Sequence, residues 1–232
     1  MRYDIMAIGI HPDDLEIGIF GTLAKSTEMG KSIIMVDLTA GEMGSNGTVK
    51  IRNQEAQKAA KLIKAKRICL GLPDRNIHCS QDQIRVVVEC IRTYKPTWLI
   101  FPYPKDYHPD HESGSRLVKE AIHSAGLRHF ESGILETHRP EKAAMYYIND
   151  VEGPNLHIDI TSVIDLKRQA LECHVSQFNK TEGSQATYLN NGYIEKIMTR
   201  DAYFGMLCKV GYAEALYLLS PPIANYLGGD LL

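Results

Sequence analysis

Cysteine is scarce in this chain, and what there is lies scattered. Cys69, Cys79, Cys90, Cys173 and Cys208 are odd in number, widely spaced and form no C-x-x-C pair. That excludes a disulfide framework and a thiolate zinc site, and leaves them as small side chains in or near a core. Charge of one sign is also lacking. With 26 basic and 28 acidic side chains the formal net charge is -2, and the basic residues do not cluster. No nucleic-acid footprint and no anionic-membrane patch is therefore expected. Long apolar runs are absent, because Asp4, His11, Asp13 and Asp14 interrupt the first hydrophobic stretch. Neither a membrane span nor a secretory h-region is read, so the expected location is the cytoplasm. There is no internal repeat, no low-complexity tract and no linker. The first strand–helix turn reads Gly-Ile-His-Pro-Asp-Asp and holds no G-x-G-x-x-G, while Gly18 and Gly21 come too late to cradle a pyrophosphate. A dinucleotide-binding oxidoreductase is disfavoured on that ground.

What is present is an alternation of apolar runs with helix-period stretches. Strands are expected at Tyr3–Ile10, Ser32–Thr39, Arg67–Leu72 and Thr97–Phe101. Helices are expected at Leu15–Met29, with Gly30 as C-cap, and at Ile51–Lys64, Gln81–Tyr94 and Asp110–Ala125. Ala40–Thr48, with three glycines, reads as a loop. The pattern predicts an α/β fold: a Rossmann-like, mostly parallel sheet with helices on both faces. From about residue 143 it changes. Strands at Ala143–Ile148, His157–Ile160 and Ala213–Leu219, a helix from Val163 to about Phe178, a polar stretch at Thr181–Gly192 and a helix from Tyr193 read as C-terminal elaboration. One domain over residues 1–232 is expected, with a small C-terminal subdomain as the alternative.

Two segments carry chemistry. His11-Pro12-Asp13-Asp14-Leu15-Glu16 ends the first strand, where open α/β sheets bind ligands. One of its adjacent carboxylates can ligate a metal while the other acts on the water that the metal activates. Alone, the pair serves equally well as a helix N-cap. Asp106-Tyr107-His108-Pro109-Asp110-His111 ends the fourth strand and can face the first segment across the sheet edge. Together they offer His, Asp and His to one point, the donor set of a catalytic rather than a structural zinc site. The residues alone do not choose between His108 and His111.

These two segments resemble the signatures of the LmbE-like, PIG-L-type zinc de-N-acetylases. Thr39–Thr48 with Arg52 and Glu55, and Leu70–Asp74, resemble further parts of that pattern. Lys167 with Cys173-His174-Val175-Ser176-Gln177-Phe178 resembles the late helix of the bacillithiol-pathway deacetylases, which act on N-acetylglucosaminyl malate. The resemblance implies His11, Asp14 and His111 as ligands of zinc, or of another divalent metal such as iron. It implies Asp13 as general base, His108 as acid or oxyanion partner, and Asp110 as the group orienting His108. It also implies a homo-oligomer, a hexamer in similar relatives. Ile10 and Tyr107 depart from the family, which commonly has Ala and Arg there.

The expected reaction is hydrolysis of an acetamide to acetate and a free amino sugar. Zinc would polarise the carbonyl, Asp13 would accept a proton from water, and a charged His108 held by Asp110 would meet the oxyanion. Arg52, Asp74 and Tyr193 are the expected substrate contacts, each with a plain structural alternative: a solvated helix start, a turn and a packed ring. Other acetamido substrates, a chitooligosaccharide or an antibiotic precursor, present the same chemistry. A catalytically silent sugar-binding protein is the rival from another class. His78, His123, His129, His138 and His157 are expected to be structural or exposed, and His174 to pack behind the site.

Overall fold

The computed structural model describes residues 2–133 and 136–221. Its spine is β1 (Ile5–Gly9), buried along its whole length, as is its neighbour β2 (Ile33–Thr39). Side chains alternate across a strand, so such a strand feeds two cores. Ile5 and Ala7 join one apolar cluster with Ile33 and Met35, while Met6 and Ile8 join another with Ile34 and Val36. A two-sided sheet needs helices on both faces, and the chain supplies them. These are α1 (Asp14–Gly18), α2 (Phe20–Glu28), α3 (Val49–Leu62), α4 (Gln81–Tyr94) and α5 (Pro109–Ala125).

With β3 (Lys66–Leu72), β4 (Trp98–Pro102), β5 (Lys142–Tyr146), β6 (Leu156–Asp159) and β7 (Ala213–Leu218), the sheet runs β3-β2-β1-β4-β5-β7-β6. β1 to β5 pair in parallel, and β7 runs antiparallel to both β5 and β6. The chain winds outward from β1 through β2 and β3, then returns to lay β4 on the other side of β1. That reversal opens a crevice beyond the carboxyl ends of β1 and β4, and the two histidine–aspartate segments leave those two ends.

The strands after residue 143 extend this same sheet. The later helices are α6 (Ile164–Glu172), α7 (Val175–Phe178) and α8 (Tyr193–Cys208). Two long helices expected from periodicity are each broken. The first parts at Ile19 (φ -143°), between α1 and α2. The free N-terminal N–H groups of α2 find an acceptor far away in sequence: Glu214 on β7 takes bonds from Gly21 (2.9 Å) and Thr22 (2.6 Å). Gly18 sits so close to the fully buried Tyr146 ring that a Cβ would overlap it. The second parts at Cys173–His174, after a 3-10 turn at Thr161–Val163. Glu214 is itself balanced by Lys167, whose Nζ lies 2.7 Å from Glu214 and 2.6 Å from Asp201, all fully buried. No described helix is long and apolar enough to cross a membrane.

Candidate active site and metal centre

The turn after β1 is built around one carboxylate. Asp14 Oδ2 accepts from the Ile10 and His11 main-chain N–H groups at 2.9 and 2.8 Å. Its other oxygen, Oδ1, is left facing His111 Nε2 at 3.3 Å. His11 lies on the same carboxylate, its Nδ1 3.6 Å from Asp14 Oδ2. From the β4 end, His108 forms the N-cap of α5 and His111 stands in the first turn. The imidazoles of His11, His108 and His111 pack with ring centroids 4.6 to 5.4 Å apart. Nitrogen atoms of all three fall within 4.8 Å of one another.

Three imidazoles packed this tightly cannot all carry charge in the absence of counter-ions. Burial pushes His11 and His111 toward the neutral form, but Asp14 and further carboxylates outweigh it. His11 ends well above its ordinary value and His111 at about 9. Burial alone would raise Asp14, but the two histidines hold it well below the usual carboxylate range. His108 goes the other way: burial and its two histidine neighbours push its pKa down. A converging set of imidazole nitrogens, with one carboxylate oxygen free of main-chain bonds, is chemistry that suits a divalent ion. The structure brings His11, Asp14 and His111, the ligands expected from the resemblance, to this one point, with His108 beside them.

The remaining expected residues gather here too, several with partners that sequence did not suggest. Asp13 lines the cavity, with its Oδ1 3.4 Å from Arg52 Nη2. Arg52 is buried, not a solvated helix residue, and donates 2.8 Å to the Gly41 carbonyl. A Cβ at Gly41 or Gly44 would overlap its guanidinium, which explains two of the three glycines of that loop. Asp74 lies against His11, 3.1 Å from Nε2, and accepts from Met43 N–H at 3.0 Å. His11, Asp74 and Asp110 form a second donor cluster around that nitrogen. Tyr193 is buried, lines the cavity and donates 2.8 Å to Asn149.

The contact expected between the Asp110 carboxylate and the His108 ring is made differently. Asp110 Oδ2 and Oδ1 turn to Arg75, accepting from its N–H at 2.8 Å and from Nη1 at 3.2 Å. It is the Asp110 main-chain N–H that donates to His108 Nδ1, at 3.2 Å. An Nδ1 that accepts and a lowered pKa both favour the neutral His108 ring with its proton on Nε2. The sequence reading expected a charged His108 held by the Asp110 carboxylate; the structure shows that carboxylate on Arg75 instead.

Asp106 and Asn149 were not singled out by the sequence. Asp106 Oδ1 lies 3.2 Å from His111 Nδ1, an ion contact rather than an aligned hydrogen bond, and also accepts from His108 N–H at 2.9 Å. Asn149 Nδ2 donates to Asp106 at 2.9 Å and connects it to Tyr193. A metal-bound histidine usually has a carboxylate on its other nitrogen, and this rule was the signal available for Asp106. Asn149 follows β5, another parallel strand ending at the crevice. The donors sit at the floor of a cavity of about 300 Å³ whose walls include Asn46, Gln177 and Tyr188.

An open α/β sheet with this donor set at its switch point defines the class, a protein built to hold a divalent metal at the strand ends. Residues 6–122 match the family model described as PIG-L: GlcNAc-PI de-N-acetylase, and the chain belongs to that LmbE-like family of de-N-acetylases. It is 33% identical to a conserved protein, TT1542, of Thermus thermophilus, with a TM-score of 0.86 and 98% of each chain covered. It is 29% identical over 227 residues to the diacetylchitobiose deacetylase of Thermococcus kodakarensis, covering 91% of this chain and 81% of that protein. It is 23% identical over 245 residues to the 4-oxalmesaconate hydratase of Pseudomonas putida, covering 96% and 91%.

Proposed function

We propose that this protein hydrolyses the acetamide of an N-acetylglucosaminyl conjugate, with zinc held by His11, Asp14 and His111. The observation that carries this is the convergence of those three side chains at the floor of a cavity that Asp13 and His108 also line. The ion, when bound, supplies Lewis acidity toward the amide carbonyl and toward water. Asp13 takes a proton from the attacking water, and Arg52 holds its carboxylate in place. His108 donates its Nε2 proton as a hydrogen bond to the amide oxygen as negative charge grows there. The proton on Asp13 passes to the leaving nitrogen, so acetate and a free amine result and Asp13 is ready again. Asp74 orients His11, and Tyr193 and Asn149 close the cavity wall.

N-acetylglucosaminyl malate is the conjugate suggested by the likeness of the late helix. Most of the residues that carry that likeness serve the interior. Lys167 and His174 are wholly buried, Lys167 paired with Glu214 and His174 lying 3.3 Å from Glu16, while Gln177 reaches the cavity. The relative from Thermococcus kodakarensis is named for a neutral disaccharide, so both conjugates belong in the assay. A single cytoplasmic domain assembled as a homo-oligomer, a hexamer by family resemblance, completes the proposal, and light scattering on the purified protein checks the assembly.

The test is amine and acetate release from N-acetylglucosamine, N-acetylglucosaminyl malate and diacetylchitobiose by the zinc-loaded protein. Acetate from any of them supports the proposal. A folded, zinc-replete protein that releases none, and instead hydrates an unsaturated acid as its hydratase relative is named for, sinks it.

A further inference from the structure

Two aromatic rings at the mouth of the cavity remain open to solvent. Tyr107 is 68% exposed and Tyr188 57%, and both line the cavity whose floor is His11, Asp14 and His111. Single exposed apolar side chains are ordinary on a protein surface. A pair at the rim of one cavity is a less ordinary arrangement, and both are held in place. Tyr188 has the Lys196 Nζ 3.9 Å above its centroid and meets Tyr193 edge-on at 5.2 Å. Tyr107 is anchored through its neighbours, since Asp106 accepts the His108 N–H and binds Asn149.

The cavity of about 300 Å³ has room for about one pyranose and its acetamide. A group linked to that sugar must therefore rest at the mouth. At that mouth the two rings, with the Lys196 ammonium beside Tyr188, are what a linked sugar would meet. A neutral pyranose would set its apolar C–H face on tyrosine rings, whose broad faces favour such contact.

Resting on the acetamido-sugar function proposed above, we infer that Tyr107 and Tyr188 form an outer subsite. It seats the second ring of the substrate and sets preference for a disaccharide over a monosaccharide. The two rings are specificity determinants and take no part in the proton transfers.

Two measurements test this. The first is kcat/KM for diacetylchitobiose, N-acetylglucosamine and N-acetylglucosaminyl malate with wild type, Tyr107→Ala and Tyr188→Ala. The wild type is expected to prefer the disaccharide to the monosaccharide. Each substitution should lower the disaccharide-to-monosaccharide ratio about 2- to 10-fold, mainly through KM. An unchanged ratio, or a wild type that does not prefer the disaccharide to the monosaccharide, overturns the inference. The second is saturation-transfer NMR of diacetylchitobiose on zinc-loaded Asp13→Ala, which reads contact without turnover. Saturation of the second ring, lost when Tyr107 and Tyr188 are also removed, supports the subsite even if the wild type releases no acetate, in which case only the deacetylase proposal fails. Acetate release with no contact to the second ring fails the subsite and leaves the deacetylase standing. Neither turnover nor contact fails both.

Discussion

Asp13 and Asp14 are chemically identical neighbours, and the backbone separates their work. Asp14 has one oxygen fixed by two N–H groups and the other aimed at His111. Asp13 reaches the cavity with only Arg52 beside its Oδ1. Asp13→Ala should therefore keep zinc at wild-type stoichiometry while kcat falls at least ~10²-fold; metal analysis beside acetate assays checks it, and full activity in the zinc-loaded variant would remove Asp13 as the base. Asp106 acts one step further out. Asp106→Ala leaves His111 Nδ1 without its carboxylate, so zinc affinity should fall about 10- to 100-fold, measured by competition with a chelating dye. Asp106→Glu, which returns the charge, should recover part of that loss, whereas a purely structural role would show in melting temperature alone. Both segments of the candidate site were legible as HPDDLE and HPDH, but the division between His108 and His111 was not. It depends on capping: at the N-cap the His108 ring turns its Nδ1 to the Asp110 N–H, while His111, one turn on, points at Asp14.

Elements follow the same logic when local pattern meets a distant partner. Apolar periodicity ran unbroken from Leu15 to Met29, and the helix breaks at Ile19 all the same. The acceptor that satisfies the new helix start is Glu214, nearly two hundred residues later, which no sequence window contains. The four parallel strands of the first half were readable because each is a short apolar run between helical stripes. β7, running antiparallel between β5 and β6, was seen as a strand, but its place in the sheet is a tertiary choice. The break also makes Gly18 a point of contact with β5. A Cβ there would enter the Tyr146 ring, which is fully buried and bonded through its hydroxyl to the Ile8 carbonyl at 3.2 Å. Gly18→Ala should destabilise by about 1–3 kcal/mol. For a chain of this size that is roughly 2–4 °C of melting temperature per kcal/mol. Adding Tyr146→Leu should cost less than the sum of the two single changes, because one overlap is shared. Strict additivity in thermal denaturation would show that the two positions do not meet.

For the molecule as a whole, the metal centre couples folding to pH. In the metal-free cleft Asp14 is an ionised carboxylate between charged histidines, and His111 keeps its proton up to about 9. A histidine whose folded pKa is raised stabilises fully below its ordinary value of 6.5, and that contribution is lost as pH rises through about 9. Asp14 has the opposite sense: lowered in the fold, it stabilises above its ordinary 3.8 and loses that contribution only as pH falls further. Between those limits the metal-free protein has both, and on the alkaline side it loses the histidine share. Zinc ligands must be neutral imidazole, so binding expels the protons and replaces the ion pairs with coordination. The melting temperature of chelator-stripped protein should therefore drop from about pH 6 to about pH 9, while the zinc-loaded protein changes less and the gap between them widens. Calorimetric zinc titrations in two buffers of different ionisation enthalpy should show protons released near neutral pH. A gap that stays constant across that range, with no proton release, would mean that His11 and His111 are not the groups that change state when the metal enters.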